Sequence, residues 1–498
     1  MVGRHPREVS RVGWETTQNK ALGIQTHKMS NQSVPYDLVP FDSLFELLTR
    51  GKEKSKQLGG EVLVSITSPL AGKIGPIQFF KAGRQTDTSA NYWALPTKGS
   101  WIVGIGEAAK IITEGRLRFK QTATLLQAIC RSAIIEGNGG LGPIFLGGFR
   151  FSSDTPWDAT WKEFRDGLLT LPKWMISCTP NDRRSLTINL VLNGASDIVS
   201  LRKQLVAQSQ ILFNQDSTTA HSTSSPSARV ESAADGWEEN VRRVLVAIRD
   251  RKLSKVTLAR ALRLRAETAV SPEAVLESLT ANYPECRIFA FCRGGTSFVG
   301  ASPEELVSVD GTVVTSTCLA GSAPRGDSQA TDTEFSSWLL SNEKERREHK
   351  VVVDWISERM SPLCTNLHWN DAPYVLRLGN VQHLATRFEG NRLNESHVLD
   401  FVEALHPTPA VGGMPLAPAL EMIQKLENFD RGWYTGPVGW VDGNGNGEFA
   451  IAIRCALLRG REAVLYAGDG IVAGSDPKTE DHETTMKFKP LLTALGAL

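Results

Sequence analysis

Polar residues dominate positions 1–40 and set up no apolar period, so this stretch reads as a flexible tail. The pattern changes at Phe41. The segment PFDSLFELLTRGKEK brings Leu44, Leu47 and Leu48 to one face at helical spacing, with Asp42 or Ser43 as cap. The runs EVLVSITSPL, GPIQFFKAG, YWALPTKG and SWIVGIGEA read as strands and RLRFKQTATLLQAICRSAI as a long helix. GPIFLGGFRF, WMISCTP and LTINLVLNG follow as further strands. Residues 214–236 are rich in Ser, Thr and Ala and read as a polar loop or linker. Periodicity resumes with an amphipathic helix from Trp237 and the strand KVTLARALRLRA. A helix over SPEAVLESLTANYP comes next, with Ser271 as cap and Pro272 at its first position.

Strands follow strands without regular strand–helix alternation, which predicts an antiparallel α+β fold. The second half also echoes the first. WALPTKGSWIVGIGEAAKI parallels FCRGGTSFVGASPEELV, and GPIFLGGFRF parallels YTGPVGWVDG. The expectation is a large antiparallel-sheet body of two pseudo-symmetric halves, residues 41–213 and 237–498, with helices packed outside.

Composition narrows the function classes. The 498 residues carry 55 Lys plus Arg against 54 Asp plus Glu, a net charge of +1, which provides no overall pull towards nucleic acid or anionic lipid. Hydrophobic residues make up 41% and are spread throughout, which excludes disorder over most of the chain. The 7 cysteines are odd in number and form no C-x-x-C, which argues against a disulfide framework and a cysteine zinc site. No apolar run is long enough to span a bilayer, and the N-terminus lacks the apolar core of a secretory signal. A cytoplasmic, monomeric protein with no nucleic-acid or membrane partner is expected.

Two motifs are set aside. DGNGNG at 442–447 opens like a calcium loop, but its twelfth position is Ile453, so a turn between strands fits better. GIGEAA at 104–109 lacks the context of a dinucleotide fingerprint and reads as a strand-to-helix turn.

Two acidic helices matter more. In SNEKERREHKVVVDWISERM, Ser341 is the expected cap, and Glu345 and Glu348 stand at i, i+3. The ordinary explanation is a solvated face paired with Arg346, Arg347 and Lys350. In SDPKTEDHETTMKFKPLL, Glu480, Glu483 and Lys487 share a face, just after the glycine-rich YAGDGIVAG. Two carboxylates from each helix make an all-oxygen set suited to Mg²⁺, with Lys487 and Arg454 as anchors for an anionic substrate.

Taken in order, KVTLAR (255–260), FVGASPEEL (298–306), LAGSAPRG (319–326), LLSNEKERREHK (339–350), VQHLATRFEG (381–390), LHPTPAVGG (405–413), FDRGWYTGPVGW (429–440) and the run from Tyr466 to Lys487 resemble the chorismate-utilising enzymes, most closely the isochorismate synthases. The resemblance covers roughly residues 236–498. It implies Lys255 as the general base that activates water and Glu304 as the general acid. It implies Glu348 and Glu483 as direct Mg²⁺ ligands, with Glu345 and Glu480 reaching the metal through water. Gly321, Arg454, Gly468 and Lys487 match substrate contacts; His383 matches a histidine near the substrate, or equally a buried orienting histidine.

The implied reaction adds water to chorismate at C2 and expels the C4 hydroxyl. Glu304 must then be protonated near neutral pH, which burial favours, and Lys255 must be partly neutral, which burial or nearby positive charge favours. Relatives that use ammonia depend on a glutamine amidotransferase, and none is expected here. Amine-forming and salicylate-forming relatives are expected to carry Thr where this chain has Ala410, which favours stopping at isochorismate. The long first half and RGWYTGPVG look like the menaquinone or phylloquinone branch. A salicylate synthase and a siderophore-pathway enzyme are the alternatives.

Overall fold

A computed structural model describes residues 13–15 and 39–497, apart from 71, 73, 138–140, 156–157, 214–227, 234–235, 380 and 395. Most of the stretch read as a tail, and most of the polar 214–236 segment, therefore lie outside the described residues. Two pieces of them are strands at sheet edges. Gly13–Glu15 pairs with Ala109–Thr113, and Ala228–Ala233 pairs with Lys255–Ala266.

Several local expectations are corrected. GPIQFFKAG is not a strand but the start of the helix Pro76–Thr86: Pro76 opens it, and Phe79, Phe80 and Gly83 bury one face. The helix Phe41–Leu58 begins one residue before Asp42, with Pro40 at its cap and no side-chain cap bond, so neither Asp42 nor Ser43 caps it. Ser341 ends the helix Gln329–Ser341, and Asn342 caps the next one, Glu343–Met360, by accepting from the Glu345 amide. GIGEAA joins two strands, not a strand and a helix: the chain passes from one sheet to the other there, with Gly106 at a φ of 71°. The helix Pro272–Asn282 and its Ser271 cap are as expected.

Two large sheets carry the fold, and all strand pairs but one are antiparallel among the described residues. The echoed segments meet at the centre of both. In the 13-stranded sheet the hairpin Arg287–Arg293/Thr296–Ser302 lies beside Ala90–Leu95/Ser100–Ile105, with Phe289 opposite Trp93. In the 11-stranded sheet Ile144–Phe149 pairs with Pro437–Asp442, with Gly147 opposite Gly439. The two halves are thus stitched along two antiparallel seams.

Strand alternation fills three cores. Phe289, Phe291 and Phe298 point between the sheets to meet Ile144, Leu146, Trp161 and Trp433. Ile288, Ala290, Val299 and Ala301 face the other way, against helices carrying Phe79, Phe80, Leu276 and Leu279. Phe145, Phe149, Leu169 and Leu171 back the second sheet onto helices carrying Leu126, Trp355 and Phe401.

Candidate active site

The chain changes sheets twice at one place. Thr296–Ser302 belongs to one sheet and Glu305–Asp310 to the other; Pro303 and Glu304 bridge them. Gly447–Ile451 and Cys455–Arg459 repeat the crossing, with Arg454 in the bridge at a φ of 50°. The crossings bind each other: the Ala301 amide donates to the Arg454 carbonyl (3.1 Å) and the Ile451 amide to the Glu304 carbonyl (3.1 Å). A residue that leaves one ladder before joining the next is free to aim its side chain between the sheets. The counterpart crossing in the first half carries Glu107, which is paired with Lys110 instead.

Around this point opens a cleft of about 830 Å³, mouth included, the size of a small-molecule site. Lys255, Glu304, Gly321, Glu345, Glu348, His383, Ala410, Arg454, Gly468, Glu480, Glu483 and Lys487 all line it. Every residue singled out in the sequence is therefore brought together, although they come from strands, helices and loops spread over nearly half the chain.

Lys255 and Thr257 sit on one face of their strand. Opposite them in the register lie Val472 and Gly470, and Gly468 lies opposite Ala259. The glycines are required by space. A Cβ on Gly470 would come within 2.8 Å of both Lys255 Cε and Glu348 Oε1, and one on Gly468 within 2.6 Å of the Leu258 carbonyl oxygen. Lys255 is 2% exposed, and its Nζ donates to Glu348 Oε1 at 2.7 Å. Of the two influences expected on Lys255, burial is present, and its ion-pair partner is a carboxylate rather than a cation.

Glu304 is 7% exposed. Burial drives its pKa up to about 7, against the pull of Lys255, Arg454 and Lys487. Burial thus moves Glu304 towards the protonated form near neutral pH. His383 is pushed down to about 3, first by burial and then by Arg454 and Lys487, so it is neutral. Its Nδ1 lies 3.0 Å from Ser322 Oγ and 3.3 Å from the Gly321 carbonyl oxygen. Gly321 has a φ of 80° and sits where the Val313–Pro324 strand slips register against Val381–Arg392, between Leu319 and Ser322. That bulge turns the Ser322 amide onto Glu345 Oε2 at 3.0 Å. Ala410 is fixed through its backbone, with its carbonyl accepting from Thr257 Oγ1 at 3.0 Å.

The acidic helices are not solvated faces. Glu345 and Glu480 are buried. Burial first, and Glu348 second, raise Glu345 to about 6. Lys344 lies 3.4 Å from Glu480 Oε1 and 3.6 Å from Glu345 Oε1. Lys487 Nζ sits between Asp469 (2.9 Å) and Glu483 (3.0 Å) and also donates to the Gly468 carbonyl. Burial works against the Lys487 charge, but Asp469 and Glu483 prevail and raise its pKa.

Asp469 was missed in the sequence. Its oxygens and those of Glu480 and Glu483 lie within 4.8 Å of one another. Its Oδ2 is buried without a hydrogen-bond partner. The signal was an acid flanked by two glycines, GDG, inside an otherwise apolar strand. Lys344 and Ser322 were missed as well. Five carboxyl groups, Glu345, Glu348, Asp469, Glu480 and Glu483, face Lys255, Lys344 and Lys487. The hard oxygen donors and the unpartnered Oδ2 together fit one divalent cation of the magnesium type.

A family model described as chorismate binding enzyme matches residues 48–496. The chain belongs to the chorismate-binding enzyme family. It is 33% identical over 459 residues to the isochorismate synthase MenF of Bacillus subtilis, covering 89% of this chain and 95% of the relative. It is 34% identical over 430 residues to the salicylate biosynthesis isochorismate synthase of Pseudomonas aeruginosa, covering 85% and 88%. Its fold is shared with the solved menaquinone-specific isochorismate synthase MenF of Escherichia coli, with a TM-score of 0.72 at 24% identity, covering 90% of this chain and 99% of that one. No helix among the described residues is long and apolar enough to cross a membrane.

Proposed function

We propose that the protein is a Mg²⁺-dependent isochorismate synthase, interconverting chorismate and isochorismate. The observation that carries this reading is the pairing, in one cleft, of a buried lysine with a buried carboxyl group whose pKa lies at about 7. Arg454, whose Nη2 has no protein partner, and Lys487 face the cleft as anchors for the substrate carboxylates. Lys255, once it has passed a proton to solvent and left Glu348 as the neutral amine, takes a proton from water as the water oxygen bonds to C2. The ring double bonds shift, the C4–O bond breaks, and Glu304 delivers the proton that lets the hydroxyl leave as water. One water enters and one departs, and the reverse reaction exchanges the two roles.

Glu348 and Glu483 would hold the magnesium ion directly, with Glu345 and Glu480 behind water; among the described residues the carboxylate cluster within 4.8 Å joins Glu483 to Glu480 and Asp469 and leaves Glu348 outside. When bound, the ion supplies positive charge that fixes a substrate carboxylate and draws electron density from the ring. The reading includes a monomeric, cytoplasmic enzyme that needs no amidotransferase and serves menaquinone or phylloquinone synthesis. Residues 237–498 form its catalytic region, since every cleft residue lies there.

Purified protein incubated with chorismate and Mg²⁺, followed by chromatography, tests the proposal. Isochorismate as the sole product is expected. Salicylate and pyruvate from the protein alone would replace it with the salicylate synthase reading, against which Ala410 stands.

A further inference from the structure

Lys344 is oddly placed for a helical lysine. It lies in the first turn of Glu343–Met360, where the helix dipole favours acids and where Glu343 and Glu345 also sit. Its surroundings account for it. Glu480 is 2% exposed, on the first turn of the other acidic helix, Pro477–Ala494. Among the described residues Lys344 is the one cation within ion-pair distance of Glu480, at 3.4 Å, and it reaches Glu345 at 3.6 Å. Its ammonium therefore bridges the two helices that bring the carboxylates together. A buried carboxylate stripped of its only counter-charge is strongly unfavourable.

We propose that Lys344 is a tethered counter-ion of the acidic site, bridging Glu345 and Glu480 in the metal-free protein and competing with a divalent cation for these carboxylates. The inference rests on the proposed magnesium site and adds a residue that sets its affinity. The ammonium pairs directly with the two carboxylates that a metal would reach through water, so both cannot enjoy full interaction at once. Lys344 thus keeps the cleft assembled before the metal arrives and weakens its binding by a fixed amount.

The test uses the full chain and its Lys344→Met and Lys344→Arg variants. Methionine keeps an unbranched stem without the charge; arginine keeps the charge. Mg²⁺ binding is read by calorimetry, and the melting temperature is read with EDTA and with saturating Mg²⁺. Lys344→Met should bind Mg²⁺ about fivefold tighter or more, since a unit positive charge beside the carboxylates that attract the ion is removed. Its melting temperature in EDTA should fall by about 2 °C or more, and Mg²⁺ should restore it. Lys344→Arg should match the parent in both readouts within about twofold and about 1 °C. If the parent binds Mg²⁺ and Lys344→Met binds it no tighter, the competition is refuted while the metal site stands. If the parent itself binds no Mg²⁺, the metal reading falls and takes this inference with it.

Discussion

The Lys255 amine donates to the Glu348 carboxylate across 2.7 Å, joining the proposed base to a proposed metal ligand. The pair is shielded on one side by Gly470, the only residue type that leaves it room. Base strength and metal occupancy are therefore linked through one carboxylate.

Replacing Lys255 with Ala removes the group that takes the proton from water. Isochorismate formation should drop by about 10²- to 10⁴-fold. Circular dichroism should remain close to the parent, and Mg²⁺ binding should persist and tighten, because Glu348 loses the ammonium that competes for it. Parent-level isochorismate on chromatography would remove Lys255 from the chemistry.

Glu304 titrates at about 7 in the folded chain and must be protonated to act as the acid. Activity in the chorismate-to-isochorismate direction should therefore fall as pH rises through about 7. Stability carries the same sign. The folded protein holds this proton up to about 7 while the unfolded chain loses it near the ordinary value of 4.5, so the contribution of Glu304 is full below 4.5 and is lost as pH rises to 7. Glu304→Gln should abolish turnover, because an amide cannot release the proton, and should flatten the stability profile over that window. A Gln variant with the parent's pH–rate curve would exclude the assignment.

Gly470→Ala places a methyl group 2.8 Å from both members of the Lys255–Glu348 pair. One of them must shift, and a displacement of this kind costs about tenfold or more in kcat. The anchors Arg454 and Lys487 are untouched, so KM should change far less. Steady-state kinetics showing a KM effect alone would contradict this placement of the pair.

Metal removal should silence the enzyme reversibly. EDTA-treated protein is expected to lose isochorismate production and regain it with Mg²⁺, while keeping its fold, since Lys344 and Lys487 still neutralise part of the acid cluster. Full activity in EDTA would dismiss Glu348 and Glu483 as ligands.

Much of the site was legible because its chemistry-bearing residues lie in long contiguous motifs. Glu345 and Glu348, or Glu480, Glu483 and Lys487, declare their shared faces by spacing alone. The echoed hairpins were visible too, but their adjacency was not: pairing across a seam such as Phe289 with Trp93 is a contact between residues far apart in sequence. Asp469 was hidden because strand alternation does not say which neighbour an isolated acid will find. The helix at Pro76–Thr86 was misread because Phe79 and Phe80 are good strand formers whose helical burial is set by packing. Lys344 looked like one more surface charge until the second helix was laid beside it.

The two seams make the first half indispensable to a site it never touches. All cleft residues lie between Lys255 and Lys487. Yet the strands Arg287–Arg293 and Pro437–Asp442 each have one flank filled from the first half, by Ala90–Leu95 and Ile144–Phe149. A fragment cut after the polar segment would keep every reacting group and bare two rows of main-chain donors and acceptors, the template on which strands from other molecules add. Such a fragment is expected to aggregate, so the catalytic half depends on the first half for a closed sheet rather than for any reacting group.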